Sequence, residues 1–159
     1  MSTRLQHELK KKQPFEVASQ AAALGLVRTN DQLQIHFARL FRQYGLTPSQ
    51  YNVLRILRGE GAPLPILEIA ERTVTVVPGI TGLIDRLEAA GFVSRERSTE
   101  DRRVVYVALT DKAAKLLAKI DRPLVEMHQR VMRHLTKTEI NDLMRLLDKV
   151  RAGLPESEA

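Results

Sequence analysis

Residues 64–110 read LPILEIAERTVTVVPGITGLIDRLEAAGFVSRERSTEDRRVVYVALT, and two periods and one stop within this stretch decide the fold. From Pro78 to Ala90, Ile80, Leu83, Ile84 and Leu87 recur at i, i+3, i+4 and i+7, which puts their side chains on one face of a helix. Pro78 suits the first helical turn, where its missing N–H has no intrahelical partner, and Gly91 suits the left-handed residue past the end. After Gly91 the pattern changes. Phe92, Val93, Val104, Val105, Tyr106 and Val107 fit a pleated surface, with Ser98 to Arg102 between the two runs. The spacing predicts a short helix, a turn, a second helix and a hairpin with a charged tip.

Working outward, Gly45 ends the element upstream and Thr47-Pro48-Ser49-Gln50 opens the next. Thr47 is the N-cap, Pro48 the first helical residue, and Gln50 reaches back in a capping box. Tyr51, Val53, Leu54 and Leu57 give that helix its apolar face, and Gly59 with Gly61 stops it. Ile66 to Arg72 reads as the short helix. The following TVTVV has β propensity rather than turn chemistry, so local signals do not specify the turn. Further upstream, Pro14 to Tyr44 is helical, either as two helices or as one with a bend near Gly25 or Thr29-Asn30-Asp31, and Leu33, Phe37, Leu40, Phe41 and Tyr44 share a face. Phe15, Val17, Leu24 and Val27 do not fit one small core and suggest burial against a second subunit. Downstream, Thr110 caps a helix from Asp111 to about His134, in which Pro123 predicts a kink or break near Asp121 and Arg122. Thr136 and Glu139 form another capping box, and Ile140, Leu143, Leu147 and Val150 stripe the last helix.

These elements predict a mainly α fold with a small β wing: a winged helix-turn-helix with N- and C-terminal dimerisation helices. The expected organisation is a flexible basic tail over 1–13, an N-terminal dimerisation helix region over 14–46, the DNA-binding lobe over 47–110, C-terminal dimerisation helices over 111–152, and a frayed tail over 153–159.

Composition bounds the function. The net charge of +6 invites a nucleic-acid partner, but its distribution is uneven. Lys and Arg number seven against three acids over residues 1–46, eight against eight over 47–110, and ten against eight over 111–159. The proposed DNA-reading segment is therefore neutral, and placement matters more than bulk charge, since Arg95, Arg97, Arg102 and Arg103 concentrate on the hairpin. The absence of cysteine excludes disulfides, thiolate metal sites and thiol redox sensing within this chain. His128 and His134 are six residues apart and do not share a helix face at i, i+4, so no metal site is expected. No Gly-rich phosphate loop, paired-histidine metal motif or nucleophile elbow occurs, so neither catalysis nor a cofactor is expected. No secretory h-region or membrane-length apolar run is present, and a cytoplasmic protein without a membrane partner follows.

A helix presented this way enters the major groove with its N-terminal residues nearest the bases. Its outward positions are Pro78, Gly79, Thr81, Gly82, Asp85 and Arg86. Thr81 can meet a base edge or a thymine methyl, Arg86 a phosphate or guanine, and the two glycines allow close backbone approach. An arginine at the wing tip can enter a narrow minor groove or grip phosphate. The candidate DNA-binding residues are Thr75, Pro78, Gly79, Thr81, Gly82, Arg86, Arg97, Asp101, Arg102 and Arg103, with double-stranded DNA as the partner. A surface ion pair of Arg86 with Asp85, Glu88 or an opposite strand is the structural alternative, and a solvated turn is that of the wing tip. At the level of the whole chain, the alternative is a non-enzymatic winged-helix module for protein interaction or assembly.

The sequence resembles the MarR-type transcriptional regulators in LTPSQYNVL, in LPILEIAER followed by GITGLIDRLEAAGFVSR, and in DRRVVYVALT, which fits that family's Asp-x-Arg, five residues, Leu-Thr wing signature. The resemblance runs from about Leu26 to Val150. It implies a homodimer with interleaved first and last helices, a pseudo-palindromic operator, and repression relieved by a small ligand. The family's wing arginine falls on Arg103, with Asp101 as its neighbour. Many members have Ser-Pro-Ser at the start of the reading helix and a basic residue at the position of Gly82, whereas this chain has Val77-Pro78-Gly79. The resemblance also implies a small-molecule effector, a phenolic or other aromatic anion, with walls that would include His36, Leu40, Tyr51 and Met127; a histidine on a packed helix is more often simply hydrogen-bonded.

Overall fold

The computed structural model describes residues 4–99, 101 and 103–154. The chain forms two compact units, Met1–Leu117 and Ala118–Ala159. In order, the elements are α1 (Arg4–Glu8), α2 (Ala18–Arg42), α3 (Pro48–Glu60), β1 (Leu64–Pro65), α4 (Ile66–Glu71), α5 (Ile80–Ala89), β2 (Val93–Arg97), β3 (Val105–Leu109), α6 (Asp111–Met132) and α7 (Lys137–Ala152).

The first unit is built around α3. Its start is fixed as the sequence predicts: Gln50 N–H donates to Thr47 Oγ1 at 3.2 Å and Thr47 N–H to Gln50 Oε1 at 2.9 Å, so two otherwise orphaned donors are satisfied reciprocally. It ends at Gly61, whose φ of 72° only glycine adopts cheaply. Tyr51, Val53, Leu54 and Leu57 are buried as expected, and so are Ile56 and Asn52. Burial extends beyond one stripe because α2, α4, α5 and β3 all contact α3. Asn52 is tolerated there because its Oδ1 accepts from Arg55 at 2.7 Å.

The α5 helix buries Leu83, Ile84 and Leu87. Its C-terminus closes as a Schellman motif, with Gly91 at φ 74°, Gly91 N–H on Glu88 O at 2.8 Å and Phe92 N–H on Leu87 O at 2.9 Å. Its start differs from the prediction. Helical residues begin at Ile80, and Gly79 precedes them in the left-handed region at φ 68° without a side-chain cap. A residue at that φ cannot belong to a right-handed helix, so Pro78 lies in the turn before the helix and not in its first turn.

The wing is a three-stranded antiparallel sheet in the order β1-β3-β2. The hairpin strands pair from Val93 opposite Leu109 to Arg97 opposite Val105. The third strand, β1, pairs Leu64 with Val107 and Pro65 with Tyr106; two residues carry no alternation, so the sequence pattern gave no sign of it.

At the N-terminal side, residues 4–8 form a helix instead of the expected tail, and Leu5 Cδ2 lies 3.8 Å from where a β-carbon at Gly25 of α2 would stand. The α2 helix is unbroken over 25 residues, so neither Gly25 nor Thr29-Asn30-Asp31 divides it in two. It leaves Leu24, Leu26, Val27 and Ile35 exposed, as is Val17 just before it.

The α6 helix is capped at Thr110, whose Oγ1 accepts from Ala113 N–H at 3.3 Å, and runs through Pro123 without a break. The α7 helix opens with the predicted capping box, Glu139 N–H on Thr136 Oγ1 at 3.3 Å and Thr136 N–H on Glu139 Oε2 at 2.7 Å. Val125, Met144, Leu146 and Val150 are exposed on these two helices. Among the described residues no helix is long and apolar enough to cross a membrane.

Candidate nucleic-acid interface

Three pieces of the first unit make up the candidate site: the turn over 73–79, the α5 helix, and the β2–β3 hairpin. The turn is anchored at its start by Thr73, whose Oγ1 donates to Ala70 O at 2.8 Å. Just before it, the Arg72 guanidinium binds Glu60 of α3 at 2.6 Å and also pairs with Glu68. Those two carboxylates, Glu60 first, raise the arginine above its ordinary value, and the contacts tie α4 to the end of α3.

Thr75, Pro78, Gly79, Thr81 and Arg86 are all exposed, and Gly82 is half-buried. Gly82 leaves space that Arg86 uses: an Arg86 guanidinium nitrogen lies 3.9 Å from where a β-carbon at Gly82 would stand. On the hairpin, Arg97, Asp101 and Arg103 are exposed. Asp101 organises the tip, accepting from Arg103 N–H through Oδ1 at 2.9 Å, donating its own N–H to Ser98 Oγ at 3.2 Å, and accepting from Val104 N–H through its carbonyl at 2.9 Å. This is the local Asx chemistry that folds a turn. Arg102 lies outside the described residues.

The arginine that the charge count grouped with the tip, Arg95, is used differently. Cross-strand partners share a face, so Arg95 opposite Val107 lies on the side where Val93 and Val107 are buried. Its guanidinium reaches α5, binding Asp85 Oδ1 at 2.5 Å and Thr81 O at 3.3 Å, while its Nε stands 3.6 Å from Glu88 Oε2. The partnership foreseen for Arg86 with Asp85 or Glu88 is thus held by Arg95. Among the described residues Arg86, Arg97 and Arg103 are left without an ion pair. The same contacts set one positive charge against the two acids of α5 and join the wing to the helix.

The other end of α5 is tied to the start of α6. Lys112 Nζ donates to Ala90 O at 2.6 Å and sits 4.9 Å over the Phe92 ring, a cation placed where the helix dipole favours one. Thr110 Oγ1 adds a hydrogen bond to Gly91 O at 2.8 Å.

Of the four residues considered for an effector, His36 is exposed, Leu40 is half-buried, and Tyr51 is buried with its ring stacked on Phe41 at 4.2 Å. Met127 is buried and belongs to the second unit. Among the described residues no group of three or more His, Asp or Glu is placed to hold a metal.

A short helix, a turn, an exposed second helix and a hairpin wing whose Arg97 and Arg103 have no ion pair among the described residues define a winged helix-turn-helix DNA-binding protein. The MarR family model matches residues 46–105. A MarR transcription factor of Planctomyces limnophilus of known structure is 41% identical, over 85% of this chain and 98% of that one, with a TM-score of 0.66. The uncharacterized HTH-type regulator YcgE of Bacillus subtilis is 32% identical over 114 residues, 72% of this chain and 73% of its own. The regulator NadR, solved in complex with 4-hydroxyphenylacetate, is 26% identical over 87% of this chain and 97% of that one, with a TM-score of 0.68. The chain belongs to the MarR family. It is a DNA-binding transcriptional regulator and not an enzyme.

Proposed function

We propose that this regulator binds a pseudo-palindromic operator as a homodimer and represses transcription in the cytoplasm until a small aromatic or anionic ligand releases it. The observation that carries the DNA-docking part is the set of Arg86, Arg97 and Arg103, without an ion pair among the described residues, beside an exposed α5 whose own acids both face Arg95. In this reading α5 docks in the major groove. Thr75, Pro78 and Thr81 approach base edges and phosphates, and the backbone at Gly79 and Gly82 comes close to the DNA. Arg97, Arg102 and Arg103 anchor the wing on phosphate or in the minor groove, on a tip shaped by Asp101.

Dimerisation is supported by the apolar side chains that α2, α6 and α7 leave exposed, among them Val27, Ile35, Val125 and Met144, since unmatched apolar surface marks an interface. Residues 14–46 and 111–152 supply it. Effector control is supported by the likeness to NadR, whose ligand is an aromatic carboxylate; His36, Leu40, Tyr51 and Met127 are the proposed contacts.

Selection from random duplexes, with light scattering on the protein alone, tests the reading. An enriched inverted repeat bound by a dimer is the expected result. A monomer, or no enriched sequence, contradicts it.

A further inference from the structure

The turn before α5 carries a feature that its own chemistry does not explain. Val76 is 92% exposed, the most exposed large apolar side chain among the described residues, and Val74 is 78% exposed. Turns favour Gly, Asn, Asp, Ser and Pro for local conformational reasons, and a β-branched residue contributes nothing to such a bend. Nor does Val76 contribute to the core, which nearby Ile69, Leu83 and Ile84 complete.

Its position is informative. It lies three residues before Gly79, the N-cap that precedes α5, in a segment held at one end by Thr73 on Ala70 O and at the other by Leu83 N–H on Gly79 O at 3.2 Å. A helix docked in the major groove brings its N-terminal end nearest the bases, together with the residues that lead into it. There the reading surface of this chain is short of side chains, with Gly79 just before α5, Gly82 on it and Thr81 between them. In that groove an exposed aliphatic group has one base-specific partner, the C5-methyl of thymine.

We propose that Val76 reads sequence directly, its isopropyl group covering a thymine methyl in each operator half-site. The inference rests on the groove docking proposed above and deepens it. It assigns A·T preference to a residue outside the helix, through an apolar contact and not a hydrogen bond.

The test uses the full-length protein and the operator enriched by duplex selection. Each thymine is replaced in turn by deoxyuridine, which removes only the methyl. The wild-type protein is expected to lose about fourfold in affinity at one position per half-site, the value of one buried methyl group. The Val76→Ser variant, whose exposed site leaves folding intact as checked by its melting temperature, is expected to bind the thymine operator more weakly and to be indifferent to uracil at that same position. Equal losses for both proteins, no loss for the wild type at any thymine, or an enriched operator without thymine overturns the inference while leaving groove docking in place. Failure to enrich any sequence overturns the docking reading and this inference with it. Unchanged operator affinity in Val76→Ser with altered self-association assigns the surface to protein contact and also overturns it.

Discussion

Arg95 of β2 and Asp85 of α5 meet at 2.5 Å, and through them the wing is fastened to the helix proposed to read DNA. The arginine side chain is 24% exposed and the aspartate 57%, so the pair stabilises the fold modestly, by about 1 kcal/mol. Its larger effect is geometric, because Arg95 also holds Thr81 O and faces Glu88. Arg95→Met keeps the apolar stem and removes the charge. It is expected to cost about 1 kcal/mol in denaturant unfolding and to weaken operator binding by about tenfold, since helix and wing no longer dock as one body. Operator affinity reduced no more than stability predicts would remove the positioning role.

The closure of α5 gives a second prediction. Gly91 sits at φ 74°, and a β-carbon there would stand 3.7 Å from Lys112 Nζ. Space is adequate, so the cost of Gly91→Ala is conformational: about 1–2 kcal/mol for forcing an alanine into the left-handed region. Thermal unfolding should register the loss, and the Lys112→Met variant should add to it by removing the cation from the helix terminus.

Acid sensitivity is expected at the start of α7. The backbone N–H of Thr136, and then its hydroxyl, hold the Glu139 carboxylate below its ordinary 4.5. A depressed carboxylate contributes stability that is fully present above the unfolded value and is lost as pH falls through the folded one. Amide exchange at residues 137–140 should therefore quicken as pH drops below about 4.5 relative to its intrinsic rate. In Glu139→Gln that acid-dependent change should vanish; its persistence would place the titration elsewhere.

Much of this was legible in the residues themselves. The start of α3 could be read from Thr47, Pro48 and Gln50, because a capping box is local chemistry, and the core of α5 from Leu83, Ile84 and Leu87, because a helical period survives any tertiary context. What escaped the reading depends on partners distant in sequence. Leu64 and Pro65 become a strand only because β3 lies beside them. The start of α5 moved past Pro78 because Gly79 takes the left-handed conformation, which composition alone permits but does not require. Arg95 was counted among the arginines that concentrate on the hairpin but not among the candidate DNA contacts, and its alternation with Val93 already put it on the inner face. The exposure of Val76 could not be anticipated, since a run of β-branched residues normally signals burial.

The central claim is that the wing arginines grip DNA while α5 docks in the groove. It is tested most directly by titrating the enriched operator against salt with the wild-type protein and with Arg97→Ala/Arg103→Ala. Both side chains are exposed and without an ion pair among the described residues, so stability and oligomeric state should hold. Each lost phosphate contact should lower the slope of log affinity against log salt by about 0.9, with affinity falling across all sequences alike for contacts to the backbone. An unchanged slope with unchanged affinity would contradict the account.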